Sequence, residues 1–201
     1  MDRVLLAVFS YLAGSFPSAY LLARVLRKVD VRRVGSGNVG ATNVFKNIGP
    51  VAGAITGLID AGKGALVVLV AQHPPFDATV DPLWAVVAAM IGHNWPVWLH
   101  FQGGGGLATF VGGLAMLVPF WQVVVLGLTW GAFYLITRHK YVSSVLMCAL
   151  LPAWLGWARS SWEFFTFGLA AGMTLGVKQV RAWIRWARGR PQTAPSPRVL
   201  R

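Results

Sequence analysis

Apolar residues occur along the chain in long runs, separated by short polar and glycine-rich segments. The runs cover residues 4–26, 51–72, 83–99, 107–118, 121–136, 142–157 and 164 to about 182. A helix needs about 20 apolar residues to span a bilayer without tilt, so several of these runs are short. The pattern predicts an all-α integral membrane protein, a bundle of about seven transmembrane helices.

Two boundaries in this pattern need separate arguments. The fourth and fifth runs are divided only at Val118-Pro119-Phe120, where a proline interrupts otherwise continuous hydrophobicity. The first run has the hydrophobicity of a signal peptide, but it lacks a small-residue cleavage site and positive charge follows it. We therefore predict that the first run is retained as a helix and that the fourth and fifth helices are separate.

Composition supports a membrane location. Of 201 residues, 56% are hydrophobic and 12% are charged, which leaves too few polar side chains to cover a water-soluble globule. The 18 Lys and Arg against 6 Asp and Glu give a formal charge of +12. Because these cations lie between apolar runs, they favour anionic lipid or a phosphorylated substrate over nucleic acid as the partner.

The distribution of Lys and Arg predicts the orientation. With seven crossings and an external amino terminus, 15 of the 18 basic residues fall on the cytoplasmic side. The exceptions are Arg3, Arg159 and Lys63, the last within the second run. The carboxyl terminus is then cytoplasmic. We expect residues 1–188 to form one domain and residues 189–201 to form a disordered basic tail on the anionic inner leaflet.

The segment between the first two runs is too polar and too rich in glycine for a plain connector. Its glycines, Gly35, Gly37 and Gly40, allow backbone N–H groups to turn toward an anion. Its polar side chains are Ser36, Asn38, Thr42, Asn43 and Lys46. These features are typical of a phosphate-binding loop, and a flexible cytoplasmic loop is the alternative.

Two ionisable residues, Asp60 and Lys63, lie three positions apart inside the second run. That spacing allows them to pair on a helix, and ionisable groups at membrane depth usually face the interior of the bundle. The pair has either a functional role or a purely structural one, and the residues alone do not decide between them.

A second polar segment follows the third run. It begins with Gly92-His93-Asn94-Trp95-Pro96 and continues as Phe101-Gln102-Gly103-Gly104-Gly105-Gly106-Leu107-Ala108-Thr109. Pro96 should end the helix, and four glycines before a new helix expose backbone donors at its positive end. His93 can transfer a proton near neutral pH, although a lone histidine is more often structural. The other histidines, His73, His100 and His139, do not have metal-ligand spacing with it.

The chain offers no serine in an elbow setting, no Cys–His pair and no paired carboxylates. A reaction at these loops would therefore depend on positioning and charge neutralisation rather than on a covalent nucleophile.

Several motifs together resemble the bacterial acyl-phosphate-dependent glycerol-3-phosphate acyltransferases, the PlsY family. The matching segments are Gly14-Ser15-Phe16-Pro17-Ser18-Ala19-Tyr20, the loop from Ser36 to Val44, Asp60 with Lys63-Gly64, Gly92 to Pro96, the glycine run through Thr109, and Tyr141-Val142-Ser143. The resemblance implies a seven-helix bundle in the bacterial inner membrane. It also implies acyl transfer from acyl phosphate to the 1-hydroxyl of glycerol 3-phosphate, giving lysophosphatidic acid, without cofactor or metal. An enzyme that produces acyl phosphate is then a candidate partner at the membrane.

The resemblance also implies roles for individual residues. His93, Ser36 and Asn43 are the expected catalytic residues. The expected binding residues for phosphate and glycerol phosphate are Ser36, Gly37, Asn38, Gly40, Thr42, Asn43, Lys46, Gly103, Gly104, Gly106, Thr109 and Ser143.

The chain departs from the family pattern at four positions. Gly105 stands where the second loop usually has lysine, and Lys46 stands where arginine is usual. Ala182 and Pro191 replace an asparagine and a glutamate near the carboxyl terminus. Lys63, Arg138 and Lys140 are the cations that could compensate for Gly105. The alternative function is a catalytically impaired paralogue that binds phosphorylated lipid or glycerol phosphate, and a small transporter for a phosphorylated metabolite is a third.

Overall fold

The structure, a computed structural model, describes residues 2–187, with side chains up to residue 184. In this part of the chain all regular secondary structure is helical. The helices are α1 (Asp2–Ser15), α2 (Ser18–Arg27), α3 (Ala41–Asn47), α4 (Pro50–Ala71), α5 (Asp81–Asn94), α6 (Leu107–Leu117), α7 (Phe120–Thr137), α8 (Lys140–Arg159) and α9 (Trp162–Ala187). Two short 3-10 helices cover Val31–Arg33 and Val97–Leu99. The predicted all-α fold is confirmed, whereas the tail at 189–201, with Pro191, lies outside the described residues.

The first apolar run is two helices rather than one. α1 ends at Ser15 and α2 begins at Ser18, because Pro17 has no N–H to continue the hydrogen-bond ladder. At this break the Phe16 carbonyl accepts from the backbone N–H of Ser18 at 3.0 Å and from Nζ of Lys63 in α4 at 2.6 Å. The break in the first run is therefore fixed by a side chain from another helix.

The other boundaries follow the prolines. The third run was expected to continue to residue 99, but α5 ends at Asn94, two residues before Pro96. The predicted division between the fourth and fifth runs is confirmed, since α6 ends at Leu117 and α7 begins directly after Pro119. The glycine-rich loop after α2 contains the short helix α3, which hydrophobicity did not predict.

The helices suit a bilayer in length and surface. Three long helices and the joined α1–α2 unit, Asp2–Arg27, are each long and apolar enough to cross, and α6 is apolar but shorter. Large apolar side chains face outward along them, such as Leu58 at 74% exposure and Ile136 at 79%. Lipid is the solvent that these surfaces require. The number of crossings and the orientation of the termini remain predictions.

Glycines allow the helices that carry the site to pack closely. A Cβ added to Gly64 of α4 would overlap the carbonyl of Thr109 in α6, and one added to Gly112 of α6 would overlap the carbonyl of Ala61 in α4. A Cβ added to Gly92 of α5 would likewise overlap the carbonyl of Tyr11 in α1. Close backbone approach at small residues is the usual way for helices to associate in lipid.

Candidate functional site

The first loop is folded by two glycines and a short turn. Gly35 and Gly37 have φ values of 56° and 71°, in the left-handed region that disfavours other residues. The chain reaches them from the 3-10 turn Val31–Arg33, and it leaves through Gly40, which precedes α3. The sequence-predicted residues from Ser36 to Lys46 thus lie on one compact loop and the helix that follows it.

Asn43 is the internal anchor of this loop. Its side chain is 3% exposed. The amide Nδ2 donates to the carbonyls of Val34 at 3.0 Å and Asn38 at 3.0 Å. Its Oδ1 accepts from the backbone N–H of Ser36 at 3.1 Å. Because loop atoms use both ends of the amide, the geometry favours a shaping role for Asn43 over direct contact with substrate.

The other polar residues of the loop face outward. Ser36, Asn38, Thr42 and Lys46 are exposed, and the Ser36 hydroxyl accepts from the backbone N–H of Asn38 at 3.4 Å. These side chains remain available for a ligand, which suits the predicted binding role, and that role remains a prediction.

A basic surface lies beside the loop. A pocket there is lined by Tyr20, Arg24, Lys28, Val29, Asp30, Arg32, Arg33 and Val34. Arg32 binds the Asp30 carboxylate at 2.7 Å, and this hydrogen bond lowers the pKa of Asp30 below its ordinary value. Since Asp30 is the one acid among these lining residues, the surface attracts anions toward the loop.

The second loop is built against His93 and Asn94. The backbone N–H of Gly104 donates to the His93 carbonyl at 3.0 Å. Gly106 has a φ of 76° and immediately precedes α6, where a Cβ would lie 2.7 Å from Oδ1 of Asn94. That Oδ1 is buried without a hydrogen-bond partner among residues 2–184, although the Asn94 amide donates to Thr174 of α9 at 3.0 Å. Asn94 was not among the expected site residues, although its position next to His93 in the sequence was the available signal.

The two loops meet at the His93 side chain. A Cβ added to Gly104 would overlap Nε2 of His93 and would lie 2.6 Å from the carbonyl oxygen of Val39 in the first loop. His93 is 8% exposed and Gly104 is buried. Any side chain at position 104 would displace either the imidazole or the first loop, so glycine is required for the two loops to share one histidine.

A buried polar cluster lies on the opposite edge of the imidazole. Oδ1 of Asp60 accepts from Lys63 Nζ at 2.6 Å and from the Ser18 hydroxyl at 2.6 Å. The same oxygen is 3.6 Å from Nδ1 of His93. Asp60 is 1% exposed and Lys63 is 6% exposed. The predicted Asp60–Lys63 pairing is therefore present, and Ser18, which sequence reasoning did not place in the site, completes it.

Two other expected site residues, Thr109 and Ser143, are fully buried. Thr109 is fully buried in α6, where its hydroxyl lacks a hydrogen-bond partner among the described residues. Ser143 is fully buried at the start of α8, and its hydroxyl contacts Thr137 at 2.8 Å and the His139 carbonyl at 3.0 Å. These contacts belong to the α7–α8 junction, and the binding role of Ser143 remains a prediction.

The three cations expected to compensate for Gly105 have different surroundings. Lys63 is already bound to Asp60 and to the Phe16 carbonyl. Arg138 and Lys140 are exposed at the α7–α8 junction, where Lys140 lies 4.8 Å from the centre of the Tyr141 ring. Gly105 itself is open, since an added Cβ would meet no atom within 4 Å. The loop thus leaves space for a Cβ at position 105, where the sequence has glycine.

The fold and the site together define a helical membrane protein in which two glycine-rich loops share a buried histidine. In residues 2–187 there is no group of three or more His, Cys, Asp or Glu side chains suited to a metal ion. Residues 4–188 match the sequence profile of the family described as Glycerol-3-phosphate acyltransferase. The chain belongs to the glycerol-3-phosphate acyltransferase family, as its motifs predicted.

Individual relatives and solved structures agree with this assignment. Glycerol-3-phosphate acyltransferase 2 of Moorella thermoacetica is 38% identical over 173 residues, covering 84% of this chain and 86% of the relative. A glycerol-3-phosphate acyltransferase of Myxococcus xanthus is 44% identical over 140 residues, covering 70% and 72%. The crystal structure of PlsY (YgiH) in its glycerol 3-phosphate form superimposes with a TM-score of 0.81 at 27% identity, over 96% of each chain. Its lysophosphatidic acid form gives a TM-score of 0.77 at 26% identity, over 96% of this chain and 95% of that one.

Proposed function

We propose that this protein transfers a fatty acyl group from acyl phosphate to the 1-hydroxyl of glycerol 3-phosphate, giving lysophosphatidic acid. The observation that carries the proposal is the meeting of the two loops at His93, where Gly104 separates Nε2 from the Val39 carbonyl. Two phosphorylated substrates held by two adjacent loops would have their reacting atoms next to one histidine. Membership of the acyltransferase family supports this reaction.

The reaction needs positioning more than it needs a strong nucleophile. The glycerol hydroxyl oxygen attacks the acyl carbonyl carbon, the new ester bond forms, and the bond from that carbon to the phosphate oxygen breaks. The hydroxyl proton passes to Nε2 of His93 and leaves with inorganic phosphate. Because acyl phosphate already carries a good leaving group, alignment of the two substrates removes much of the barrier.

The exposed residues of the first loop provide the acceptor site. Ser36, Asn38 and Thr42 donate hydrogen bonds to glycerol 3-phosphate, and Lys46 adds positive charge. The basic surface around Arg24 and Arg33 raises the local concentration of the anionic substrate. In the second loop, the backbone N–H groups at Gly103 to Gly106 and the positive end of α6 hold the donor phosphate.

The acyl chain of the donor lies in the membrane. The apolar outer surfaces of the helices place the protein in a bilayer, and the basic loops favour a cytoplasmic site. We infer that the protein lies in the bacterial inner membrane with its loops toward the cytoplasm. An enzyme that makes acyl phosphate at that membrane is the expected partner, because acyl phosphate is reactive and its acyl chain partitions into lipid.

The open position at Gly105 supports one alternative. The second loop, from Phe101 to Thr109, contains no lysine or arginine of its own. A protein without a loop cation could bind phosphorylated lipid or glycerol phosphate and catalyse transfer poorly. Loss of one charged stabiliser of a transition state costs about 2–5 kcal/mol when nothing replaces it.

The test is lysophosphatidic acid production by purified protein in lipid, given palmitoyl phosphate and glycerol 3-phosphate. The parent is expected to turn over, and the Ser36→Ala, His93→Ala double variant is expected to lose turnover. His73→Ala is the matched control, because His73 is exposed at the opposite end of α4. A parent that binds glycerol 3-phosphate but makes no product would be the impaired paralogue.

A further inference from the structure

The outward surface of α2 combines a basic stripe with an apolar one. Tyr20, Arg24 and Lys28 follow one another at four-residue spacing and line one cavity. Leu21 and Val25 have the same spacing one position further along the helix, and Val25 is 76% exposed. The two stripes therefore lie side by side at the end of the joined α1–α2 unit, which is long and apolar enough to cross a bilayer.

The 3-10 turn after α2 forms the other wall of this cavity, which has a volume of about 530 Å³. The turn contributes Arg32 and Arg33, so two cations from each segment line the same space. The carboxylate of Asp30 also lines the cavity, but it binds Arg32 at 2.7 Å. With four cations and one acid, the lining residues have a net charge of +3.

The Tyr20 ring holds two of these cations in place. The guanidinium carbon of Arg24 lies 5.7 Å from the ring centre, and that of Arg32 lies 5.4 Å from it. Nε of Arg24 also donates to the Tyr20 hydroxyl at 3.2 Å. Two arginines from different segments are thus fixed against one side chain. Guanidinium groups that are positioned in advance suit the planar, bidentate recognition of phosphate oxygens.

The dipole of α2 explains only part of this cluster. Arg24 lies in the last turn of the helix, where positive charge is favourable. Arg32 and Arg33 belong to a separate turn, so the dipole of α2 does not account for them. Cations from two segments repel one another unless negative charge lies between them, and the cluster therefore favours a bound anion.

We propose that this cavity binds the headgroup of an anionic phospholipid of the cytoplasmic leaflet, whose acyl chains lie along Leu21 and Val25. The arginines recognise the phosphate group, and the adjoining apolar stripe distinguishes a lipid from a soluble phosphate. A zwitterionic headgroup is disfavoured because its ammonium group would lie among four cations. The inference uses the predicted cytoplasmic side of the loops, where anionic lipids attract basic segments, and it does not depend on the acyl transfer.

A lipid in this cavity borders the first loop. Val34 lines the cavity and directly precedes Gly35, the first glycine of that loop. The bound headgroup therefore holds the start of the loop at the surface of the bilayer. One lipid with a single negative charge leaves the lining residues at a net charge of +2, so the surface still attracts an anionic substrate.

Native mass spectrometry of the purified protein in detergent, with phosphatidylglycerol or phosphatidylcholine added, tests the site. The parent should retain one phosphatidylglycerol at concentrations at which it retains no phosphatidylcholine. Arg24→Gln, Lys28→Gln should bind phosphatidylglycerol about 25-fold more weakly, since each cation contributes roughly a fivefold factor. Arg24→Lys, Lys28→Arg, which conserves the charge, should bind within about threefold of the parent.

The matched control is Arg138→Gln, Lys140→Gln, which removes two exposed cations from the α7–α8 junction and should leave the affinity for phosphatidylglycerol unchanged. Equal losses of affinity in this control and in Arg24→Gln, Lys28→Gln would mean that only the total charge matters, and they would overturn the proposal. Equal retention of the two lipids by the parent would overturn it as well. Thermal unfolding in detergent checks that each variant is folded.

Two further measurements distinguish a lipid from a soluble phosphate. Millimolar glycerol 3-phosphate should leave phosphatidylglycerol bound, because it has no acyl chains to contact the apolar stripe. Val25→Ser should weaken lipid binding about threefold or more, whereas Leu58→Ser, at a residue of α4 that is 74% exposed, should not. Displacement of the lipid by glycerol 3-phosphate, or equal binding by the two serine variants, would show that the cavity recognises soluble phosphates and would overturn the proposal.

Discussion

The contact between the two loops and His93 depends on the absence of a side chain at Gly104. The His93 imidazole, the Val39 carbonyl and the Gly104 backbone occupy adjacent space, and a single methyl group at position 104 would overlap the ring nitrogen. Gly105, the next residue, faces open space. Two neighbouring glycines in one loop therefore have different reasons to be glycine, one steric and the other unrelated to contact.

Gly104→Ala should lower kcat/KM at least about 100-fold, because displacement of a catalytic group by about 1 Å has that effect. Gly105→Ala should change kcat/KM by no more than about twofold, since its methyl group meets nothing. Acyl transfer by the two purified variants, with thermal unfolding as a check on folding, makes the comparison. Equal losses in both would show that the loop does not close on His93 as described.

Gly105→Lys should raise kcat/KM about tenfold, equivalent to about 1.4 kcal/mol of transition-state stabilisation, by adding a cation to the loop that lacks one. A Cβ at position 105 meets no atom within 4 Å, so the first atom of the new side chain causes no clash. Gly105→Gln controls for the length of the side chain. A rise in both variants, or in neither, would mean that charge at this position does not limit the reaction.

The pair of helices α4 and α6 forms the support of the site. α4 carries Asp60 and Lys63, whereas α6 begins directly after the second loop. Their backbones approach at Gly64 and Gly112, so the distance between the buried carboxylate and the loop depends on this contact. Small residues at a helix crossing thus determine the geometry of the chemistry several residues away.

Gly64→Ala should destabilise the protein by about 1–3 kcal/mol, because its methyl group overlaps the Thr109 carbonyl and forces α4 from α6. Gly62→Ala, in the same helix but exposed with nothing within 4 Å, should be neutral or stabilise by about 0.5–1 kcal/mol through helix propensity. Thermal unfolding in detergent, followed by tryptophan fluorescence, measures both. A lower stability of the Gly62 variant would contradict this account of α4.

Hydrophobicity predicted which segments are helical because burial in lipid depends on composition over many residues. It did not predict the break at Phe16-Pro17, since a two-residue interruption hardly changes the hydropathy of the first run. Nor did it predict α3, whose short sequence lies among glycines and is stabilised by the Asn43 hydrogen bonds. The break and α3 depend on individual residues, and Pro17 and Asn43 were the available signals in the sequence.

The candidate site could be predicted in part, where its features depend on residues that are close in sequence. Motif spacing identified both loops and His93, because each is local in sequence. The alignment of Asp60 with Nδ1 of His93 joins residues 33 positions apart, and it depends on how α4 packs against α5. The contacts of Ser143 also depended on packing, because its hydroxyl bonds to Thr137 and His139 at the α7–α8 junction.

Charge is distributed unevenly over the whole molecule. The loop that carries Lys28, Arg32 and Arg33 is basic, whereas Asp77 lies between α4 and α5 and Asp81 begins α5. Positive loops remain on the cytoplasmic side during insertion, so this asymmetry predicts the orientation of the bundle. A cytoplasmic basic face would present both loops to a soluble phosphorylated acceptor.

In a Cys148→Ser background, an impermeant maleimide should label Thr79→Cys in intact cells and Lys28→Cys only after the membrane is opened. Both positions are exposed, one between α4 and α5 and the other at the end of α2. Cells expressing the Cys148→Ser protein alone provide the unlabelled control. The reverse pattern of labelling would place the loops outside and contradict the cytoplasmic site.

The central claim is that one site between the two loops moves an acyl group from phosphate to glycerol phosphate. The most direct test is to measure lysophosphatidic acid and inorganic phosphate together, as purified protein in lipid consumes palmitoyl phosphate with glycerol 3-phosphate. The account predicts equal initial rates for the two products and no product when palmitoyl-CoA is the donor. Phosphate release without lysophosphatidic acid, or transfer only from palmitoyl-CoA, would contradict it.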